Sequence, residues 1–230
     1  MNNLAVIIPF FNEENYLKAS IERVLKLNIF HQILIVDDCS TDNSTKIALD
    51  LSSSNEAITY LQTSMNGGKG NALIAARDAL ITTHVVIHDA DLEYFPEDII
   101  DMYKNISENE DTLILGSRFI GNKERKNIYR RTLFANKAMS LFFSLVNGYK
   151  VTDVATCYKL MPTVFFKKID IKEKGFSVEI EILSKFLKYN KSIKEIPIRY
   201  EGRSYAEGKK IKTSDGFRYL INTIKYRFTN

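Results

Sequence analysis

Short, continuously apolar runs alternate with longer amphipathic stretches through the first half of the chain. The apolar runs predict β-strands at 4–10, 32–37, 57–62, 84–88 and 112–116. The amphipathic stretches between them predict helices at 13–28, 42–53, 69–82 and 96–106. Continuous apolar strands are typical of a sheet covered on both faces, and strands that alternate with helices form βαβ units. The pattern therefore predicts an α/β fold with a Rossmann-like, mostly parallel sheet flanked by helices.

The second half of the chain departs from this alternation. It predicts, in order, a helix at 126–147, a strand near 154–160, a helix near 177–189, a strand near 193–199 and an amphipathic helix at 217–228. The first of these helices has a basic start and an apolar continuation. It is therefore either a buried core helix or a helix that lies on a membrane surface. Because no internal repeat, low-complexity tract or linker divides the chain, we expect a single domain over residues 1–230.

Composition narrows the class of protein and the compartment. A net charge of +4 permits an anionic partner such as a nucleotide or a lipid surface, and the absence of a basic run argues against nucleic acid. Cys39 and Cys157 have neither metal-ligand spacing nor a disulfide framework, which indicates a reducing compartment. The first residues lack the features of a signal peptide, and no apolar stretch approaches the ~20 residues that cross a bilayer. We therefore expect a cytoplasmic location.

Carboxylates separated by one residue follow the fourth predicted strand. Asp89 and Asp91 come directly after the apolar run that ends at Ile87. In an extended segment residues two apart point to the same side, so both carboxylates can face one cation, and Glu93 continues the same phase as a third ligand. Hard oxygen ligands suit Mg²⁺ or Mn²⁺, which can in turn hold a diphosphate. The alternative is that these aspartates cap the helix that follows.

Two further polar tripeptides fall at the ends of predicted strands. Phe11-Asn12-Glu13 follows the first strand and Asp37-Asp38-Cys39 ends the second. Ligands of open parallel sheets bind beyond the carboxyl ends of the strands, so these segments and the Asp89–Asp91 segment predict one site at a single edge. A carboxylate of Asp37-Asp38 can accept a hydrogen bond from a base or a ribose. Alternatively, it favours the dipole of the helix that follows.

Cationic and glycine-rich segments supply candidate phosphate ligands. Gly67-Gly68-Lys69-Gly70-Asn71 opens the third helix, where backbone N–H groups and Lys69 can approach a phosphate, although a simple helix-entry turn fits equally well. Arg118 follows the fifth strand. Arg203 and Lys209 lie six residues apart in a loop with two glycines, which predicts either a lid over an anion or a solvated basic loop.

These segments, in this order, resemble family-2 glycosyltransferases of the GT-A fold, specifically the branch of dolichyl- and polyprenyl-phosphate mannose or glucose synthases. The resemblance runs from Val6 to about Ile211. It rests on the segments VIIPFFNEE (6–14), ILIVDDCSTDNS (33–44), NGGKGNAL (66–73), HDADLEYFPEDI (88–99), LGSRF (115–119), TDVATCYKL (152–160), KGFSVEIEI (174–182) and EGRSYAEGKKI (201–211). It implies a nucleotide-sugar-binding half, 1–120, and an acceptor-side half, 121–230. Near the acceptor, Cys157-Tyr158-Lys159 stands where these relatives carry a Gly-Ser-Phe-Arg type of sequence.

The resemblance and the residue patterns together imply a set of site residues. The expected nucleotide-sugar-binding residues are Pro9, Phe11, Glu13, Val36, Asp38, Lys69, Asp89, Ala90, Asp91, Arg118, Arg203 and Lys209. The expected ligands of Mg²⁺ or Mn²⁺ are Asp89, Asp91 and Glu93. The expected catalytic residues are Asp91, Arg118 and Arg203.

The implied reaction is an inverting, metal-dependent transfer of a hexose from a GDP- or UDP-sugar to a polyprenyl or dolichyl phosphate. A phosphate acceptor is already anionic and needs no general base. A sugar hydroxyl in a surface polysaccharide or glycolipid would need one, and the candidates are Asp153, Glu179 and Glu181. A more distant alternative is a catalytically silent subunit that binds nucleotide sugars. A lipid acceptor implies a peripheral position at the inner face of the membrane or a membrane partner protein.

Overall fold

Seven strands of the described chain form one mixed sheet. The computed structural model describes residues 3–106, 112–189, 192–203 and 213–229. Its strands are β1 (Leu4–Phe10), β2 (Gln32–Asp37), β3 (Ile58–Gln62), β4 (His84–Ile87), β5 (Thr112–Ser117), β6 (Arg125–Lys126), β7 (Lys159–Pro162), β8 (Ser192–Pro197) and β9 (Tyr200–Glu201). The main sheet has the order β3-β2-β1-β4-β7-β5-β8, and β6 pairs with β9 in a separate two-stranded sheet.

The main sheet is parallel except at one strand. The pairs β1–β2, β1–β4, β2–β3 and β5–β8 are parallel. Strand β7 runs antiparallel to both of its neighbours, β4 and β5. It thus inserts a segment of the second half of the chain beside the acidic end of β4. The predicted α/β class and mostly parallel sheet are confirmed.

Helices cover both faces of this sheet. They are α1 (Leu17–Lys26), α2 (Ser44–Ser54), α3 (Lys69–Arg77), α4 (Asp98–Lys104), α5 (Arg130–Asn147), α6 (Thr163–Lys168), α7 (Val178–Lys188) and α8 (Thr213–Phe228). Side chains of β1 alternate between two apolar clusters, with Ala5 and Ile7 in one and Leu4 and Val6 in the other. Because both faces bury apolar surface, the strands carry few polar residues, as the sequence predicted.

The predicted strand near 154–160 begins later than expected. Residues 154–158 precede β7 because side chains, not a neighbouring strand, accept hydrogen bonds from their N–H groups. The N–H of Val154 donates to Ser140 Oγ at 3.2 Å, and the N–H of Cys157 donates to the hydroxyl of Tyr94 at 3.3 Å. This irregular segment packs between the ends of β4 and β5, which brings acceptor-side residues to the edge of the sheet that carries the aspartates.

Helices α5 and α8 pack against each other and keep apolar side chains on their outer faces. On α5, Phe143 is buried, whereas Phe134 and Leu145 are 77% and 74% exposed. On α8, Ile221 and Phe228 are 53% and 77% exposed. The alternative of a fully buried core helix is therefore wrong for α5. No helix within the described ranges is long and apolar enough to cross a membrane.

Candidate active site

A cavity of about 270 Å³ opens beyond the carboxyl ends of β1 and β4. The predicted nucleotide-sugar-binding residues that line it are Pro9, Phe11, Glu13, Asp38, Lys69, Asp89, Ala90, Asp91, Arg118 and Arg203. Val36 is fully buried in the core and is not part of this lining, and Lys209 lies outside the described residues. The topology thus brings together residues from both halves of the chain.

Asp38 holds the glycine-rich segment in place. Its carboxylate accepts hydrogen bonds from the N–H groups of Gly67, at 3.0 Å, and Gly68, and from Asn71 Nδ2 at 3.0 Å. The N–H of Gly70 donates to the carbonyl oxygen of Lys174 at 2.6 Å. These N–H groups are therefore engaged within the protein, and the expectation that they cradle a phosphate is not met. The helix-entry alternative describes the segment instead.

Asp37 has a structural position at the start of α2. Its carboxylate accepts hydrogen bonds from the N–H of Ser40 at 2.7 Å and from Thr45 Oγ1 at 2.5 Å. The side chain is fully buried. Of the two alternatives for Asp37-Asp38, a role in organising the entry to the following helix fits Asp37. Asp38 lines the cavity, but its carboxylate accepts hydrogen bonds from the glycine-rich segment.

Lys69 contacts two carboxylates. Its ammonium lies 2.6 Å from Asp89 Oδ1 and 2.6 Å from Glu179 Oε1. Burial by itself lowers the pKa of Lys69, but the charges of Asp89 and Glu179 outweigh it and raise the pKa above the usual value. Burial raises the pKa of Asp89, and Lys69 overcomes this so that the pKa is lowered overall. Asp89 is therefore kept as a carboxylate by a neighbouring cation.

Arg203 lies among three carboxylates. Its guanidinium contacts Asp91 Oδ2 at 3.1 Å and Glu13 Oε2 at 3.2 Å, and its backbone N–H donates to Glu93 Oε1 at 2.7 Å. The other oxygen of Glu93 accepts a hydrogen bond from the hydroxyl of Tyr200 at 2.5 Å. Glu93 thus anchors the segment around Arg203 to the site. In this arrangement the positive charge of Arg203 partly compensates the acidic cluster.

The predicted metal ligands Asp89, Asp91 and Glu93 lie near one another but do not converge on one point. Within the part of the chain that the structure describes, no group of three or more His, Cys, Asp or Glu side chains is arranged to hold a metal. Glu93 differs from the expectation because both of its oxygens accept hydrogen bonds from the segment that carries Arg203. Burial, then Glu93 and then Asp89 raise the pKa of Asp91 to about 7, although Arg203 opposes them. The negative charge here exceeds what Arg203 neutralises.

Arg118, which also lines the cavity, is paired within the protein. Its Nε and Nη2 contact the two oxygens of Asp153 at 2.7 and 2.8 Å, and the ring of Tyr200 lies 4.9 Å from its Cζ. Burial alone lowers the pKa of Arg118, whereas Asp153 raises it well above the usual value. Asp153, a candidate base, is fully buried in this pair.

The other two candidate bases differ in position. Glu179 lines the cavity, and its carboxylate contacts Lys69 on one side and Lys159 on the other. Glu181 is not part of the lining. It accepts hydrogen bonds from the N–H of Lys172 at 2.8 Å and from Lys185 Nζ at 2.7 Å. Each of the three carboxylates is therefore engaged with a cation.

Several residues of the cavity were not predicted. Tyr94, Tyr200, Phe176 and Tyr219 line it, and the hydroxyl of Tyr219 on α8 donates to the carbonyl oxygen of Phe176 at 3.0 Å. Tyr94 could have been inferred from its place just after the acidic segment. Tyr219 gave no local signal, because its helix is identified in the sequence only by its apolar spacing. Lys159 does not line the cavity, but its position within an apolar run could have indicated the buried ion pair that it forms with Glu179.

The sheet and the acidic segment after β4 define a GT-A type glycosyltransferase fold. Glucosyl-3-phosphoglycerate synthase from Mycobacterium tuberculosis, solved with Mn²⁺, UDP and glucosyl-3-phosphoglycerate, superposes with a TM-score of 0.72. The match covers 98% of this chain and 80% of that one at 16% identity, and it bears on the fold alone. Residues 5–170 match glycosyl transferase family 2, and the chain belongs to this family.

Relatives in the dolichyl-phosphate branch match nearly the whole chain. UDP-N-acetylglucosamine–dolichyl-phosphate N-acetylglucosaminyltransferase of Methanococcus voltae is 26% identical over an alignment of 236 positions, which covers 95% of this chain and 94% of that protein. Dolichol-phosphate mannosyltransferase of Pyrococcus furiosus is 28% identical over an alignment of 221 positions, which covers 94% of this chain and 61% of that protein. The resemblance to this branch is confirmed. The protein is a glycosyltransferase, and the alternative of a catalytically silent subunit is set aside.

Proposed function

We propose that the protein transfers a hexose from a GDP- or UDP-sugar to a polyprenyl or dolichyl phosphate with inversion. The observation that carries the acceptor class is the pairing of every candidate base. Asp153 is held by Arg118, Glu179 by Lys69 and Lys159, and Glu181 by Lys185. A hydroxyl acceptor needs a base that can take its proton, whereas a phosphate monoester arrives already ionised. The names of the relatives support the same acceptor class.

The donor would lie across the acidic cluster. Asp89 and Asp91 fit a divalent cation, since their oxygens are hard ligands and the charge around Asp91 is incompletely neutralised. Mg²⁺ or Mn²⁺ bound by these two residues would offset charge on the diphosphate leaving group. Pro9 and Phe11 lie at the end of the cavity next to β1, where the base and ribose would bind. Arg203 would exchange its carboxylates for the diphosphate oxygens when the donor binds.

The acceptor would enter from the side of α7 and α8. Its phosphate oxygen would attack the anomeric carbon from the face opposite the diphosphate, so that one C–O bond forms while the other breaks. The residues of this chain would supply orientation and charge, which account for large rate effects when the reactants are held in line. Arg118, held by Asp153 and stacked on the ring of Tyr200, would contribute positive charge to the cavity.

The outer faces of α5 and α8 support contact with a lipid surface. Helix α5 carries Arg130, Arg131 and Lys137 and no Asp or Glu, while Leu141 and Leu145 are more than half exposed. Cations beside an apolar face favour the surface of an anionic bilayer. We therefore place the protein peripherally at the cytoplasmic face of a membrane, on its own or with a membrane partner protein.

Substitutions on α5 test this placement. We expect Leu141→Ser with Leu145→Ser to lower binding to vesicles that contain anionic lipid, without loss of donor binding. The matched control is Leu49→Ser on α2, which is similarly exposed but lies on another helix. Vesicle binding that is unchanged by the α5 substitutions would contradict the peripheral contact. Phe143 is unsuitable for this test, because it is buried.

Release of the nucleotide tests the reaction itself. Purified protein is mixed with UDP- and GDP-sugars and Mn²⁺ or Mg²⁺, with and without polyprenyl phosphate. We expect metal-dependent release of one nucleotide that the lipid phosphate stimulates and that Asp91→Asn abolishes. Asp50→Asn, at an exposed position of α2, is the matched control. Release that responds to a sugar hydroxyl acceptor and not to the lipid would favour the polysaccharide or glycolipid alternative, with Glu179 as the base nearest the cavity.

A further inference from the structure

Four charged side chains of alternating sign run from the cavity into the core. Asp89 contacts Lys69, Lys69 contacts Glu179, and Glu179 contacts Lys159. The exposed fraction of the side chain falls from 25% at Asp89 through 7% at Lys69 and 3% at Glu179 to 0% at Lys159. The row begins at the end of β4 and ends on β7. It connects an expected metal ligand to a fully buried cation.

The geometry of Lys69 is set by close backbone packing. Lys69 is the first residue of α3, and the next residue, Gly70, lies against the segment that leads to α7. A Cβ at Gly70 would stand 1.8 Å from the carbonyl oxygen of Glu173. The N–H of Gly70 donates to the carbonyl of Lys174 at 2.6 Å. Lys69 and Glu179 are therefore brought together by elements that cannot easily separate.

Lys159 has no contact with the cavity, and its burial is unfavourable unless it is compensated. An ammonium removed from water loses favourable hydration, which a single good ion pair only partly restores. Burial lowers the pKa of Lys159 although Glu179 opposes the shift. Its ammonium also donates to the carbonyl oxygen of Thr156. An apolar residue of similar length would fill the same space, so packing alone does not account for a lysine here.

We propose that Glu179 and Lys159 are positioning residues that set the charge at Asp89. Glu179 balances Lys69, so that Lys69 orients Asp89 without neutralising it, and Lys159 balances Glu179. The four charges sum to zero, which leaves the charge of Asp91 and its neighbours to attract a cation. This inference rests on the proposed function, because it concerns the affinity of the Asp89–Asp91 segment for a divalent cation. It gives Glu179 a role other than that of a general base.

Binding of Mn²⁺ in the presence of UDP or GDP, followed by electron paramagnetic resonance, tests the inference without turnover. Glu179→Gln leaves one excess positive charge beside Asp89, and we expect affinity for Mn²⁺ to fall about tenfold, the effect of about one pKa unit. Lys159→Met removes a positive charge, and we expect unchanged or tighter binding. The double variant Glu179→Gln with Lys159→Met restores neutrality, and we expect affinity within about threefold of the wild-type value.

A purely structural role predicts a different pattern. It predicts weaker Mn²⁺ binding in all three variants, in proportion to their loss of thermal stability, and that result would overturn the inference. The double variant has no uncompensated charge in the row and is expected to fold even if Glu179→Gln does not. The Mn²⁺ affinity of the double variant then tests the inference without the single variants. An affinity equal to that of the wild type supports the inference, and an affinity about tenfold weaker overturns it.

Two further comparisons separate the possible failures. Lys185→Met breaks a buried ion pair with Glu181, away from the cavity, and we expect it to lower thermal stability without changing Mn²⁺ binding. Loss of Mn²⁺ binding in this control would overturn the charge-specific explanation. Absence of Mn²⁺ binding by the wild-type protein with either nucleotide would overturn the proposed function and this inference together. If the wild type binds Mn²⁺ and all three variants of Glu179 and Lys159 bind it more weakly, this inference is overturned while the proposed function stands.

Discussion

His88 makes the free energy of unfolding depend on pH in a predictable direction. The ring is buried next to Asp89, with Nε2 3.2 Å from Ser20 Oγ and Nδ1 3.0 Å from the hydroxyl of Tyr158. Burial lowers its pKa from 6.5 to about 4. At pH values between about 4 and 6.5 the ring is protonated in the unfolded chain but not in the folded protein. The free energy of unfolding therefore falls as the pH falls. The contribution is fully present above pH 6.5 and is lost as the pH falls towards 4.

The magnitude follows from the size of the shift. A difference of about 2.5 pKa units corresponds to about 3 kcal/mol over the whole window, and about 2 kcal/mol is lost by pH 5. Because other groups titrate in the same range, the measurement is a difference between two proteins. Urea unfolding of the wild type and of His88→Gln, which does not titrate, is compared at pH 7.5 and pH 5.

We expect the free energy of unfolding of the wild type to fall by about 2 kcal/mol more than that of His88→Gln over this interval. His31→Gln, at an exposed position, is the matched control and should retain the full wild-type pH dependence. The reasoning is refuted if wild type and His88→Gln lose stability equally between the two pH values. Titration of the His88 ring by NMR with a midpoint near 6.5 would refute it independently.

Three further substitutions test close packing and charge pairs elsewhere in the described chain. Gly70→Ala places a methyl group 1.8 Å from a backbone carbonyl oxygen. We therefore expect the free energy of unfolding, measured with urea, to fall by about 3 kcal/mol and donor binding, measured by calorimetry, to weaken. The control Gly216→Ala in α8 adds its methyl group to open space and should leave stability unchanged or slightly raised. Arg203→Met removes the guanidinium that contacts Asp91 and would compete with Mn²⁺ for its carboxylate. We therefore expect Mn²⁺ to bind about tenfold more tightly without nucleotide, and turnover to fall. Weaker Mn²⁺ binding would contradict this competition. Asp98→Asn removes a buried carboxylate that lies 3.0 Å from the guanidinium of Arg199. We expect the free energy of unfolding to fall by about 3 kcal/mol. A change below about 0.5 kcal/mol would show that this ion pair does not stabilise the fold.

The sheet could be predicted from the sequence because its signals are local. Apolar continuity identified β1, β2, β3, β4 and β5 within one or two residues, since a strand buried on both faces tolerates few polar side chains. The rule that carboxyl ends of parallel strands share one edge then placed Glu13, Asp38, Asp89 and Asp91 together, and all four line the cavity. Their shared location depends on topology, which the alternation of elements indicates.

Partners of the charged side chains could not be predicted in the same way. Lys69, Arg118 and Arg203 were expected to bind phosphates, and each contacts one or more carboxylates in the folded chain. A motif reveals that a cation stands near a strand end, but it does not reveal which acidic residues from distant segments reach the same point. That choice depends on the antiparallel insertion of β7 and on the turn at Gly70, which have no periodic signature.

The sequence by itself determined the fold class, the edge of the sheet where the site lies and the acidic segment at its centre, because strand burial and residue spacing act over a few neighbouring residues. Only the tertiary structure decided that Arg203 lies among Glu13, Asp91 and Glu93, and that Lys159 ends a buried row of charges. The physical reason is that an ion pair forms wherever opposite charges are brought within a few ångströms and sheltered from water. The distance and the burial both arise from contacts between segments far apart in the chain.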